Sequence, residues 1–243
     1  MLLAERPRES SVDLNHFIST LDLEARSLEV SVRATPALRP FFTLDFRGQT
    51  RNDLVNAYLR LLKINADYVA YAVPMFRAAG EALRGGSAED RAWSAVFLEH
   101  AEEEGKLHDA SGHHLWARSD MAALGAPTVL LDAAPHPIVA PYARFFVDGA
   151  RHHPYAVLGA KGVLEHLALR ISDDLVNGVI ASSIPGAENA VSFFRHQGIR
   201  DVDHVYAGDS TLARIHDSER RREVLAGAYF TSGCYRAFLH FAI

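Results

Sequence analysis

Apolar residues recur at three- and four-residue spacing along most of this chain, and alternating strand-like patterns are scarce. That period matches the turn of an α-helix, so it predicts helices that each bury one apolar stripe. Val12 to Arg33 reads as the first, ending before Pro36. Leu38 to Gly48, with Phe41, Phe42 and Phe46, reads as a connector packed on the core. Thr50 with Asp53 three residues later has the form of a helix start. From there Leu54, Tyr58, Leu61, Leu62, Ile64 and Tyr68 carry a helical stripe to about Leu83. Arg84-Gly85-Gly86 is a break, and Ser87 with Asp90 repeats the capping pattern. The next helix carries Trp93, Val96 and Phe97, turns very polar, and runs to Ala123 before Leu124-Gly125. Ala126 to Pro137, with three prolines, reads as a loop. Further helices are expected over Ile138–Ala150, Tyr155–Ser182, Glu188–Ala207 and Ser210 to the C-terminus. The fold class is therefore all-α: one bundle of about seven helices spanning residues 1–243.

Composition narrows the function. The formal net charge is -5, with both signs mixed, which argues against a nucleic-acid partner. No apolar run approaches the roughly 18 residues of a membrane span. Residues 1–11 hold only a short apolar patch followed by charges, unlike a signal peptide. Cys234 is the single cysteine, so no disulfide framework forms within the chain, and a cytoplasmic location is expected. Thirteen histidines is a high count. His100, His108, His113 and His114 cluster, as do His196 and His204, and carboxylates lie among them.

Three segments place ionisable residues where apolar ones belong. In Glu99 to His114, an ideal helix puts Glu102, Asp109 and His113 on one face and Glu104 with His108 on another. Imidazole and carboxylate at such spacing suit iron or zinc, while a solvated acidic face fits the same residues. In the second segment, Glu165-His166 interrupts a small, apolar run from Gly159 to Leu169. Burying that Glu calls for a metal or a basic partner, such as Arg170. In the third, Asp201 and His204 share a helical face, with Gln197 four before Asp201 and His196 next to it. A capped helix with surface histidines is the plain alternative.

Taken together, the segments resemble the haem-oxygenase-like diiron oxidases, relatives of thiaminase II and pyrroloquinoline-quinone synthase. That family carries a Glu and a His on one core helix, a Glu after Leu on the next, and His-x3-Asp-x2-His on a third. Here Leu164-Glu165 resembles the second segment, Asp201-x2-His204 the end of the third, and Glu103-x-Gly105 followed by His113 the first. The resemblance spans roughly Ser87 to Gly208. One position departs from it: Gln197 stands at the spacing of the third segment's first His, and His196 falls one residue early. A helical bulge beside Gly198 would bring His196 inward.

The resemblance implies a haem-oxygenase-like bundle holding two Fe(II) ions per chain. The implied ligands are Glu103, His113, Glu165, His196, Asp201 and His204, with Glu165 a candidate bridge and Glu102 competing with Glu103. It further implies activation of O2 to oxidise a small amino or carboxylic acid by N-oxygenation, desaturation or C–C cleavage, in natural-product biosynthesis. An external electron donor and a homodimer belong to the same expectation. Lys161 and Arg170 are candidate cations for a substrate carboxylate, with Arg195 a third, although Lys161 stands four before Glu165 and so at ion-pair spacing. Tyr68, Tyr71, Phe97, Phe193 and Phe194 are candidate pocket walls, or simply core. Two other readings compete. One is a metal-independent enzyme of the same fold, either quinone-cofactor synthase-like or thiaminase-like, the latter needing a nucleophilic Cys234; a haem oxygenase would instead need a ligating His such as His16. The other is a non-catalytic helical binding protein, which the Gln197 departure favours.

Overall fold

The computed structural model describes residues 11–106, 113–241 and 243, apart from the side chains of 11–16, 103, 106 and 199–207. Among them there are helices and no strands. In chain order the α-helices are α1 (Ser11–Ala34), α2 (Arg39–Thr43), α3 (Arg51–Val69), α4 (Ala72–Leu83), α5 (Ala88–Lys106), α6 (His113–Ala123), α7 (Thr128–Leu131), α8 (Ala140–Ala143), α9 (Ala156–Ala181), α10 (Ser192–Leu212) and α11 (Ser218–Phe241). None is long and apolar enough to cross a membrane.

The helix starts follow their local chemistry. Thr50 accepts from the Asp53 amide at 3.1 Å, and the Asp53 carboxylate accepts from the Thr50 amide at 2.9 Å. Ser87 and Asp90 repeat the exchange ahead of α5, at 3.1 and 3.0 Å. Each box satisfies amides that the first helical turn leaves without partners.

The structure divides what the periodicity joins. The stripe from Thr50 to Leu83 is two helices, broken at Ala70-Tyr71. Pro74 explains the break. It has no amide to offer the carbonyl of Ala70, and its ring excludes that carbonyl, so the chain turns and restarts with Pro74 in the first turn of α4. The segment from Ser87 to Ala123 contains α5 and α6, and residues 107–112 between them lie outside the described residues. The segment from Ile138 to Ala150 is not one helix. It passes from a 3-10 turn at Pro137–Val139 through α8, a π turn at Arg144–Asp148 and another 3-10 turn at Gly149–Arg151. Pro141 removes an amide that a continuous ladder there would need, the one facing the carbonyl of Pro137. Three of the α-helices, α2, α7 and α8, are short, so a count near seven misses the subdivision rather than the class.

The bundle is built around α9, which packs on α1, α2, α10 and α11. It buries residues on nearly every face, from Val157 and Leu158 through Val163, Leu167 and Ile171 to Leu175 and Val179. Glycine permits the tightest contacts. A Cβ at Gly159 would stand 1.9 Å from the Val224 carbonyl oxygen of α11, and one at Gly227 would stand 2.0 Å from the Ala156 oxygen of α9. Two helices therefore cross backbone to backbone, with a glycine from each at the contact. Gly178 does the same for α2, whose Phe41 oxygen would be 1.9 Å from an added Cβ.

Because backbone atoms cannot swing aside, Gly159→Ala or Gly227→Ala must push α9 and α11 apart. Each substitution is expected to lower the unfolding free energy by about 2–3 kcal/mol or more. Gly233→Ala, on the same helix with open space at its Cβ position, is the control. It should be neutral or gain about 0.5–1 kcal/mol. Urea denaturation of the three variants checks both statements.

Candidate functional site

A cavity of about 80 Å³ lies where six of the long helices meet α8. The Pro74 turn brings consecutive helices to one wall, with Tyr68 and Val69 ending α3 and Ala72, Met75 and Phe76 opening α4. Tyr142 and Leu164 extend this apolar side. Tyr68 is fixed by its hydroxyl, which donates to Asn65 Oδ1 at 2.9 Å, while the Asn65 amide donates to the Leu61 carbonyl at 2.8 Å. Its ring stacks on Phe238 at 5.8 Å and meets Tyr142 edge-on at 5.7 Å. Burial pushes the Tyr142 hydroxyl well above the usual phenol range, so it stays neutral at the cavity.

The remaining wall is polar: Glu104 of α5, His113 of α6, Lys161 and Glu165 of α9, and Gln197 of α10. Lys161 Nζ donates to both Glu165 oxygens, at 2.7 and 2.8 Å, across one helical turn. The two side chains are only 12% and 15% exposed. His113 Nδ1 stands 3.4 Å from Glu104 Oε2. The His113 ring lies against Trp116, 5.1 Å between centroids.

The cavity gathers part of the expected set. His113, Glu165 and Lys161 line it. Of the three consecutive glutamates, Glu104 is on the wall and Glu102 is exposed, while the Glu103 side chain lies outside the described residues. His196 is turned away. It is exposed, donates from Nδ1 to the Ser192 carbonyl at 2.8 Å and stacks on Trp116 at 4.2 Å. α10 continues as a regular α-helix through Gly198, with no bulge to rotate His196 inward, so Gln197 takes the wall position. Asp201 and His204 belong to α10, and their side chains lie outside the described residues.

Arg170 is not at the cavity. It pairs with Asp22 and, at 3.8 Å, with Glu29, both on α1. The His166 side chain is only 12% exposed and sits 3.2 Å from Asp209 and 3.6 Å from Asp22. α9 thus shows Lys161 and Glu165 to the cavity and His166 and Arg170 to α1 and α10. Arg195 is exposed. Of the predicted aromatic walls only Tyr68 lines the cavity; Phe97, Phe193 and Phe194 are core, and Phe76 and Tyr142 serve instead.

The donors fit a metal such as iron in kind: two carboxylates and an imidazole on one wall. Two ligands about 2.1 Å from a shared ion, at angles between octahedral and tetrahedral, lie about 3.0–3.4 Å apart. The Glu104–His113 separation meets that limit. Among the described residues no three of His, Cys, Asp and Glu come together as one ligand group. The expected partners Glu103, Asp201 and His204 are those whose side chains fall outside them.

No protein-family model matches the chain, and no curated protein does. Solved structures do. A domain of unknown function with a haem oxygenase-like fold, from Shewanella denitrificans, matches with a TM-score of 0.73 at 17% identity, over 95% of this chain and 92% of that one. A CADD-like protein of unknown function from Nostoc punctiforme matches with a TM-score of 0.60 at 15% identity, over 96% of this chain and all of that one. The fold is therefore haem-oxygenase-like.

One residue that positions the site gives no sequence signal. α10 begins without a side-chain cap of its own. Asp120, buried on α6, supplies one from outside: Oδ2 accepts from the Phe193 amide at 2.8 Å, and Oδ1 accepts from the Ser192 amide at 3.1 Å and from its hydroxyl. Burial raises the Asp120 carboxyl above its ordinary range, against these hydrogen bonds. Tyr58 adds a buried bond to the Ala190 carbonyl at 2.9 Å. The helix that carries Gln197 is thus tied to the helix that carries His113. Asp120→Asn turns an amide nitrogen or loses an oxygen at one of these contacts, and should cost about 1–3 kcal/mol. Hydrogen exchange should show the first turn of α10 opening selectively. Protection equal to wild type there would contradict the anchoring role.

Proposed function

We propose that this protein is an oxidoreductase in which non-haem iron activates O2 to oxidise a small amino acid or carboxylic acid. One observation carries the reading: Glu104, His113 and Glu165 share a single cavity whose opposite character is apolar and aromatic. Glu104, His113 and Glu165 would hold iron, joined by Asp201, His204 and Glu103 from the motif resemblance. Bound iron would supply the electrons that make O2 reactive. Lys161 offers the cation that a substrate carboxylate needs. Val69, Ala72, Met75, Phe76 and Leu164 keep water from the reacting group and accept an apolar substituent. An external electron donor, a cytoplasmic setting, a homodimer and a role in small-molecule biosynthesis belong to the same proposal.

A thiaminase-like reaction is disfavoured. Burial pushes the Cys234 thiol up to about 11, which leaves it protonated near neutral pH and poorly nucleophilic. A non-catalytic binding protein is the second reading, supported by Gln197 at the wall and by the Lys161 ammonium on Glu165.

Anaerobic reconstitution with Fe(II) separates the two. The expected result is about two irons bound per chain, oxygen consumption on exposure to air, and loss of both in Glu165→Ala and His204→Ala. No iron uptake by the folded wild-type protein would leave the binding-protein reading standing.

A further inference from the structure

We infer that Lys161 is a resident counter-cation for Glu165, which a metal ion must displace before it gains that carboxylate. The inference rests on the metal-site reading and deepens it, because it assigns control of metal loading to a residue of the same helix. Nζ bonds both Glu165 oxygens, at 2.7 and 2.8 Å, and so occupies the position from which a cation addresses the whole carboxylate. A dication and an ammonium cannot share that position, because they repel most strongly where water is scarce. Both side chains are largely buried, so little solvent screens them.

The lysine also has somewhere to go. Gly208 of α10 faces the pair; a Cβ there would stand 3.7 Å from Glu165 Oε2 and 3.9 Å from Lys161 Nζ. These are ordinary contact distances, so an alanine fits without clash but fills the space beside both head groups. Lys161 has a flexible four-carbon stem, and the missing Cβ leaves it room to swing. Released from Glu165, its ammonium would be available to a substrate carboxylate. Loading and substrate capture would then occur in that order.

The test uses cobalt(II), which is stable in air and coloured when bound, in competition with a chromophoric chelator. The proteins are wild type, Lys161→Met, Lys161→Arg, Gly208→Ala and Glu165→Ala. Lys161→Met should bind cobalt about tenfold more tightly or better, the scale of removing one adjacent like charge. Lys161→Arg should bind no more tightly than wild type, and Gly208→Ala should take up cobalt more slowly. Lys161→Gln replaces Lys161→Met should the latter fail to fold. Equal or weaker binding by the neutral variants, with Glu165→Ala still abolishing it, would overturn the counter-cation role and leave the metal site intact. No cobalt bound by wild type or by any neutral variant would overturn the metal-site reading itself.

Discussion

The backbone contact between α9 and α11 sets the frame. Gly159 and Gly227 let the two helices touch through their main chains, closer than any side chain permits. A helix held that near its neighbour has little freedom to slide or rotate, because backbone atoms do not repack. α9 is also the helix on which α1, α2 and α10 rest. The direction in which Lys161 and Glu165 point is therefore fixed by the glycine contacts of the helix backbone, the nearest of them two residues from Lys161, and not by the ion pair itself. The pair adds orientation to a position that is already determined.

Much of this was legible in the residues. The three-and-four spacing of apolar side chains identifies an all-helical chain, and the Thr50–Asp53 and Ser87–Asp90 pairs mark two helix starts correctly. Pro74 was legible in principle, yet an unbroken stripe on both sides hides it. The stripe reports which face is buried, and a proline in a first turn does not interrupt that. The irregular run from Pro137 to Arg151 follows the same logic, with prolines deciding hydrogen bonds that hydrophobicity does not see.

The site divides in a similar way. Glu165 is conspicuous because a charge interrupts an apolar run, and His113 because it stands at helical spacing from carboxylates; both line the cavity. Glu104 was harder, since three consecutive glutamates differ by 100° of helix rotation each and the glycines nearby blur the angle. For His196 and Gln197 the spacing favoured one residue and the chemistry the other; a regular helix followed the spacing. Asp120 could not be found from sequence. It caps a helix more than seventy residues downstream, and only the folded chain brings them together.

The break at Pro74 has a consequence for how such a cavity can change. It puts three residues of the apolar wall, Ala72, Met75 and Phe76, on a short helix of their own, α4, which packs mainly on α5. Lys161 and Glu165 belong to α9, clamped by glycines, and Gln197 to α10, tied by Asp120, whereas Glu104 stands on α5 itself. Ala72, Met75 and Phe76 can therefore vary in size with little effect on how Lys161 and Glu165 are aimed, while Glu104 on α5 would feel the change. The molecule keeps part of its fitting surface apart from its buried ion pair, an arrangement in which one pair of charged groups can be offered to different shapes.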